Sequence, residues 1–340
     1  MLFAKCCLFL HIIYYLNKNI KLILNYILGP ALFIVLLYSL YKQIIQQPDL
    51  AIRWSQIKAS GQNLYFWAVV MLMFVNWGLE SIKWKFLMAP LERISFFKAV
   101  KSVLAGCSIT MLTPNRMGEY GGRIMFVKEN NRLKAISVSV LGSISQLAIT
   151  ILCGSAALYY LFFYSNHTNR IHDYLWLTHN GLLFLGVISS FFILFLFFNT
   201  HTFVRVVSHI PVLKKMVKHI VLLESFTYKQ LLNVLTLSLF RYLIFILQYL
   251  LILKVMQVNI DTLVCVSLLA VFYFLMAMLP TIGLTELPVR ATAAVVILGW
   301  WSDNIIGIQA AVFCIWLINL VIPSLIGSIC IAGFKIKNDR

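Results

Sequence analysis

Apolar residues run along this chain in blocks too long for the core of a soluble domain. Six blocks read as full membrane spans: Leu22–Lys42, Leu64–Lys85, Ile136–Tyr160, Gly181–Phe198, Leu231–Leu253 and Ile305–Phe334. Each approaches or exceeds the roughly 18–20 residues that a helix needs to cross hydrocarbon. The blocks are continuous, without the alternation of period two that marks an outer-membrane barrel strand, so a barrel is excluded.

Two further apolar stretches are interrupted. Ser95–Thr113 meets Pro114, then a polar turn containing Gly118, then a short apolar piece ending at Val127. Thr262–Leu279 meets Pro280, then a similar turn containing Gly283, then a moderate run to Trp301. Proline and glycine midway leave backbone groups unpaired, which membrane depth tolerates only inside protein or beside a wet cavity. The pattern predicts two re-entrant helical hairpins with Pro114, Gly118, Pro280 and Gly283 at their tips. The expected fold class is therefore an all-α polytopic membrane protein of about six full spans plus two re-entrant hairpins, one integral domain over residues 1–340.

Composition agrees. The chain is 61% hydrophobic and 11% charged, with a mean hydropathy of +0.89, where a soluble domain carries about 25% charged residues. A net charge of +17 in a soluble protein would suggest nucleic acid. Here basic residues gathered on the cytoplasmic side explain it, and no nucleic-acid partner is expected. With a cytoplasmic N-terminus and hairpins that return to the side they came from, residues 1–21, 83–135, 199–229 and 335–340 lie inside. Those segments hold 21 of the 28 Lys and Arg residues. The expected location is the bacterial inner membrane, with both termini cytoplasmic and loop 161–180 outside. In 199–229, Val204, Val207, Ile210, Leu213, Val217 and Val221 recur at helical spacing beside Arg205, Lys214, Lys215 and Lys218. That spacing fits an amphipathic connector on the anionic leaflet, and equally an ordinary linker.

The hairpin tips echo one another. Residues 111–123 read M-L-T-P-N-R-M-G-E-Y-G-G-R, and residues 278–290 read M-L-P-T-I-G-L-T-E-L-P-V-R. Glu119 and Glu286 stand 167 positions apart, close to half of 340. Each half, approximately 20–160 and 181–334, contains two spans, a hairpin and one span. Three spans per half is odd, so the second half is expected to be inverted relative to the first, with broken helices facing each other near the midplane.

Candidate chemistry follows from the few charges in apolar surroundings. Of eleven acidic residues, three lie within or against apolar segments: Glu80, Glu119 and Glu286. Glu119/Arg123 and Glu286/Arg290 are i,i+4 pairs that share a helix face. Arg123 and Arg290 are candidate phosphate clamps, because a guanidinium matches phosphate oxygens bidentately. Helix-opening N–H groups near Gly118 and Leu284 would assist. The glutamates would neutralise the arginines in an empty site or carry a proton. A pair of structural ion pairs is the plainer alternative. Arg116, in the first tip, is a further candidate cation. Glu80, with Asn76 before it and Lys83 after it, is a candidate site residue or simply Lys83's partner. Arg241 lies deep in its span with Gln248 two turns on, a polar stripe expected to face the bundle interior. Gln146 and Asn319 are expected to make interhelical hydrogen bonds.

Other chemistry is not indicated. Cys107, Cys153, Cys265, Cys314 and Cys330 lie in apolar stretches as small buried hydrophobes. His167, His172 and His179 have no metal-site spacing, and neither metal nor cofactor is expected. There is no P-loop, no H-E-x-x-H, no nucleophile elbow and no aspartate pair for a metal-nucleotide, so no catalytic residue is assigned.

The T-P-N-R-M-G-E-Y-G-G-R segment, its echo P-T-I-G-L-T-E-L-P-V-R and the all-helical length resemble the lysylphosphatidylglycerol synthase transmembrane family. This is the flippase-like membrane domain of the aminoacyl-phosphatidylglycerol resistance proteins, which also occurs alone. The resemblance runs from about residue 20 to 334 and implies movement of a modified lipid across the bilayer. A soluble synthase domain is not found in this sequence, so aminoacyl transfer is not expected of it. The function expected is a lipid flippase or scramblase for a phospholipid or lipid-linked anionic headgroup. The alternatives are a secondary transporter of a small anionic solute, or a membrane-embedded lipid-modifying transferase. Expected partners are that lipid and the anionic leaflet, with self-association left open.

Overall fold

A computed structural model describes residues 63–111, 113, 117–168, 176–209, 217–279 and 286–338, with scattered positions between 34 and 61. The predicted span Leu22–Lys42 and the tip residues Pro114, Arg116, Pro280 and Gly283 lie outside the described residues. So do Leu284 and most of the basic stretch around Lys214.

Among the described residues every regular element is helical. In chain order the helices of seven residues or more are α1 (Leu64–Met88), α2 (Phe96–Thr110), α3 (Gly118–Ile124), α4 (Arg132–Thr168), α5 (Trp176–Phe198), α6 (Thr200–Ser208), α7 (Tyr228–Val255), α8 (Thr262–Met278), α9 (Glu286–Leu298), α10 (Ile305–Trp316) and α11 (Ile322–Asn338). Four continuous helical stretches are long and apolar enough to cross a membrane: Leu64–Met88, Glu129–Leu161, Tyr228–Val255 and Ile305–Gly333. A fifth follows if the α5–α6 pair, bent by 99° at Asn199, is one span. Rows of large apolar side chains at helical spacing face outward, including Trp67, Met71 and Phe74 on α1, Phe184, Phe191 and Phe195 on α5, and Leu243 and Leu247 on α7. Such faces suit lipid and not water. The chain is a multi-pass membrane protein.

Local sequence sets the helix ends. Asn63, Ser95, Asp261 and Asn304 each offer a side-chain oxygen to the first turn of the helix that follows. Thr227 and Gln230 form a reciprocal capping box on α7. Between α10 and α11 the backbone widens to a π turn over Leu317–Val321. Pro323 lies just beyond. It has no N–H for the carbonyl of Asn319 and its ring crowds that carbonyl, which accounts for the local loosening.

Packing follows an interlocked plan. The two central helices, α1 and α7, lie along each other. Helix α2, from the first half, packs on α11, the last helix of the second. Helix α8, from the second half, packs on α4, the last long helix of the first. Both crossed interfaces are tight. A Cβ on Gly327 of α11 would collide with the backbone of Leu104, and one on Gly154 of α4 with the side chain of Phe274. Ser324 and Cys107 also exchange polar contacts across α2 and α11.

The segments carrying the two echoing motifs are clasped at their bases. The Glu92 carboxylate, ahead of α2, accepts from the Lys128 backbone N–H at 3.2 Å and from the Lys98 ammonium at 3.1 Å. Asn131 adds a bond to the Leu91 carbonyl. The chain thus leaves at 92 and is back beside itself by 128. In the second half the Asn304 amide donates to the Met256 carbonyl at 3.0 Å and also to that of Gln257. Its oxygen caps α10 through Gly307 N–H. Gln257 takes a positive φ of 57° to make that corner.

In the 199–229 connector, α6 turns Val204 and Val207 into the same core as Trp84, Leu87, Ile220 and Leu223. Arg205 stays exposed and contacts His201, which also meets Glu224 at 2.9 Å.

Candidate functional site

The first broken segment folds back on itself through glycines. Gly122 of α3 lies so close to the Ala105–Gly106 backbone of α2 that a Cβ there would overlap it, and Gly118 is similarly placed against Ile109. The Gly118 N–H, expected to help hold a phosphate, is taken by the Thr113 hydroxyl at 2.7 Å. This close approach drives the next turn of α3, with Arg123, into the protein.

Arg123 ends beside α1. Asn76, Glu80 and Lys83 occur there at i, i+4 and i+7, one face of the helix. Glu80 is the hub. Its Oε1 accepts from Arg123 Nη2 at 2.6 Å, and its Oε2 from Arg241 Nη1 at 2.7 Å and from the Lys83 ammonium at 2.9 Å. Lys83 also reaches the Gly142 carbonyl and the Ser238 hydroxyl. Arg241 Nε donates to Asn76 Oδ1 at 2.8 Å. Glu119 shares Arg123 Nη2 with Glu80, forming the i,i+4 pair that the spacing predicts. Aromatic rings close the cluster. Trp84 lies 5.2 Å from the Arg123 guanidinium carbon, and Trp77 and Phe245 each lie 5.4 Å from that of Arg241.

Burial is steeply graded within this group. The Glu80 side chain is 3% exposed and that of Arg123 2%, whereas that of Glu119 is 26% exposed. Three cations, Lys83, Arg123 and Arg241, face two carboxylates, leaving an excess of one positive charge. Asn76 Nδ2, Trp77 Nε1, Trp84 Nε1 and Arg123 Nε are buried and meet no acceptor among the described residues. All four are donors. Buried donors ordinarily find partners, so four of them beside a formal surplus of positive charge favour an anion.

The second expected pair forms on α9. Arg290 donates through Nη2 at 2.7 Å and Nε at 3.0 Å to one oxygen of Glu286. Tyr249 and Tyr273 border it. Tyr249 is eight residues beyond Arg241 on α7, so the backbone positions that border the two arginines lie about 12 Å apart along that helix axis. The polar stripe of α7 turns to α1, with Gln248 donating to the Val69 carbonyl at 2.9 Å and accepting from Asn319 at 3.0 Å. Gln146 reaches the Ser238 carbonyl.

The structure therefore gathers Glu80, Glu119, Arg123 and Arg241 into one cluster and keeps Glu286 and Arg290 as a separate pair. Lys83, expected only as a partner of Glu80, joins the cluster, and the two tryptophans are members that sequence reasoning passed over. The i, i+4, i+7 polar stripe on an apolar helix was the signal for Lys83. No group of three or more His, Cys, Asp or Glu suited to a metal occurs among the described residues.

No curated protein and no solved structure matches this chain. A family does: with its all-helical apolar bundle and the Glu-x-x-x-Arg pairs in place, the chain belongs to the family described as Lysylphosphatidylglycerol synthase TM region, whose sequence model matches residues 23–327.

Proposed function

We propose that this protein moves a phospholipid, or a lipid-linked anionic headgroup, across the bacterial inner membrane, as a flippase or scramblase with both termini cytoplasmic. The observation that carries the reading is the cluster around Glu80. Surplus positive charge and four buried donors on apolar helices are costly unless something anionic uses them. A phosphodiester headgroup supplies charge and acceptors while its acyl chains remain in lipid. Membership of a family related to lipid headgroup handling points the same way.

The architecture proposed with it is an inverted repeat carrying two re-entrant hairpins. Its support is reciprocity. Each half lends its broken segment to the last helix of the other, α2 to α11 and α8 to α4, while α1 and α7 pair centrally. The base clasps at Glu92–Lys128 and Met256–Asn304 are what a segment returning to its starting side requires. Alternating access would then be rocking of the halves about α1 and α7.

The test is reconstitution in vesicles containing head-labelled phosphatidylglycerol, with accessibility of the label to an external quencher as readout. Protein-dependent exposure of inner-leaflet label is expected, and Arg241→Ala should abolish it. Uptake of a soluble anion without lipid movement would overturn the lipid reading in favour of solute transport.

A further inference from the structure

The two carboxylates on Arg123 are not equivalent. Glu80 holds three cations and is buried on the α1 side. Glu119 holds Arg123 alone, is about a quarter exposed, and sits on a short helix that meets α2 through glycines. Arg123 itself is almost wholly enclosed, with Glu80 on one side and the Trp84 ring near its guanidinium. An anion arriving from outside can reach Arg123 Nη2 by taking the place of Glu119, because the position of Glu80 is closed.

We infer that Glu119 is a built-in competitor for the headgroup phosphate, occupying Arg123 in the empty protein and displaced when a phosphodiester binds. The inference rests on the lipid-handling reading of the cluster. Glu80 is the fixed counter-ion that keeps Arg123, Arg241 and Lys83 together, and Glu119 is the exchangeable one. Arg123 Nε, buried and without an acceptor among the described residues, gives the incoming phosphate a second donor beside Nη2, so that the planar fork is used in full. Occupation by Glu119 lowers apparent affinity, which lets a bound headgroup leave again. The second pair differs. Glu286 is buried beside Arg290, with a side chain 7% exposed against 26% for Glu119.

The experiment measures binding of dihexanoyl phosphatidylglycerol, and separately of inorganic phosphate, to the full chain in detergent. Wild type, Glu119→Gln and Glu119→Asp are compared. Losing an intramolecular charge-assisted bond of ordinary strength should tighten phosphatidylglycerol binding about tenfold in Glu119→Gln. Glu119→Asp keeps the charge but retracts it by one methylene, so an intermediate gain is expected. Tightening for the lipid and not for phosphate assigns the site to a headgroup; tightening for both assigns it to phosphate chemistry in general, with Glu119 still the competitor. Unchanged or weaker binding in both variants, or failure of both to fold, overturns the inference and makes the pair structural. A wild type that binds neither probe overturns the lipid-handling reading itself.

Discussion

Glu80 and Arg241 lie 161 residues apart in sequence, on the two central helices, and meet at 2.7 Å. That contact fixes the register of α1 against α7 and brings a cation from the second half of the chain to a carboxylate of the first. Removing one partner of a buried ionic group leaves the others uncompensated, which costs more than the pair itself is worth.

Glu80→Gln keeps the shape of the side chain and removes the charge shared by Lys83, Arg123 and Arg241. The expected loss is about 3–5 kcal/mol of stability. Thermal melts in detergent, compared with Glu119→Gln, check it. The exposed glutamate should cost far less, and equal losses would contradict the graded burial.

Adjacent glycines should behave oppositely. A Cβ at Gly121 meets nothing within 4 Å, while one at Gly122 overlaps the α2 backbone. Gly121→Ala should be neutral or stabilising by up to about 1 kcal/mol through helix propensity. Gly122→Ala must push α3 from α2 and withdraw Arg123 from Glu80, with loss of folded yield. Size-exclusion profiles of the two variants give the answer.

The base clasp of the first segment should be sensitive to acid. Burial alone would raise the Glu92 carboxyl, but bonds from the Lys98 ammonium and the Lys128 N–H hold it below its ordinary value. A carboxyl with a depressed folded pKa stabilises above its unfolded pKa, near 4.3, and loses that contribution as pH falls through the lower folded value. Amide protection factors over residues 89–95 and 126–131, taken relative to the intrinsic exchange rate at each pH, should therefore fall below about pH 4. Glu92→Gln should exchange quickly already at neutral pH and show no such step.

Much of this was readable from sequence, and the boundary is physical. Helical class and membrane residence follow from apolar blocks, which need no knowledge of neighbours. The pairs Glu119/Arg123 and Glu286/Arg290 follow from i,i+4 spacing, a property of one helix. Glu80 was legible as a costly charge with Lys83 beside it. Its bonds to Arg123 and Arg241 were not, because they depend on how α3 and α7 dock onto α1. The occupation of the Gly118 N–H by Thr113 was hidden for a related reason: it depends on how closely α3 docks on the end of α2. Sequence weighed Arg123 and Arg290 alike as clamps. The structure separates them, one inside a five-charge cluster and one held by Glu286 a turn before it.

That difference permits a test of Arg290 that single substitutions cannot give. Arg290→Ala would strip the buried Glu286 carboxylate of its guanidinium partner, so a loss of translocation could reflect misfolding alone. Exchanging the residues, Glu286→Arg with Arg290→Glu, keeps opposite charges four apart on the same face. The reversal puts a cation at the start of α9 and an anion one turn in, against the helix dipole, at a cost of about 1 kcal/mol. The exchanged protein should fold, with a melting temperature within a few degrees of wild type for a helix bundle of this size. If a guanidinium at position 290 holds the headgroup, translocation in labelled vesicles should nevertheless vanish, because the cation has moved by four residues, about 6 Å along the helix. Arg290→Lys, which leaves a charge in place but no planar fork, should retain folding with a small fraction of the rate. Full translocation by the exchanged protein would show that the pair serves only to hold α9, and would confine headgroup binding to the cluster around Glu80.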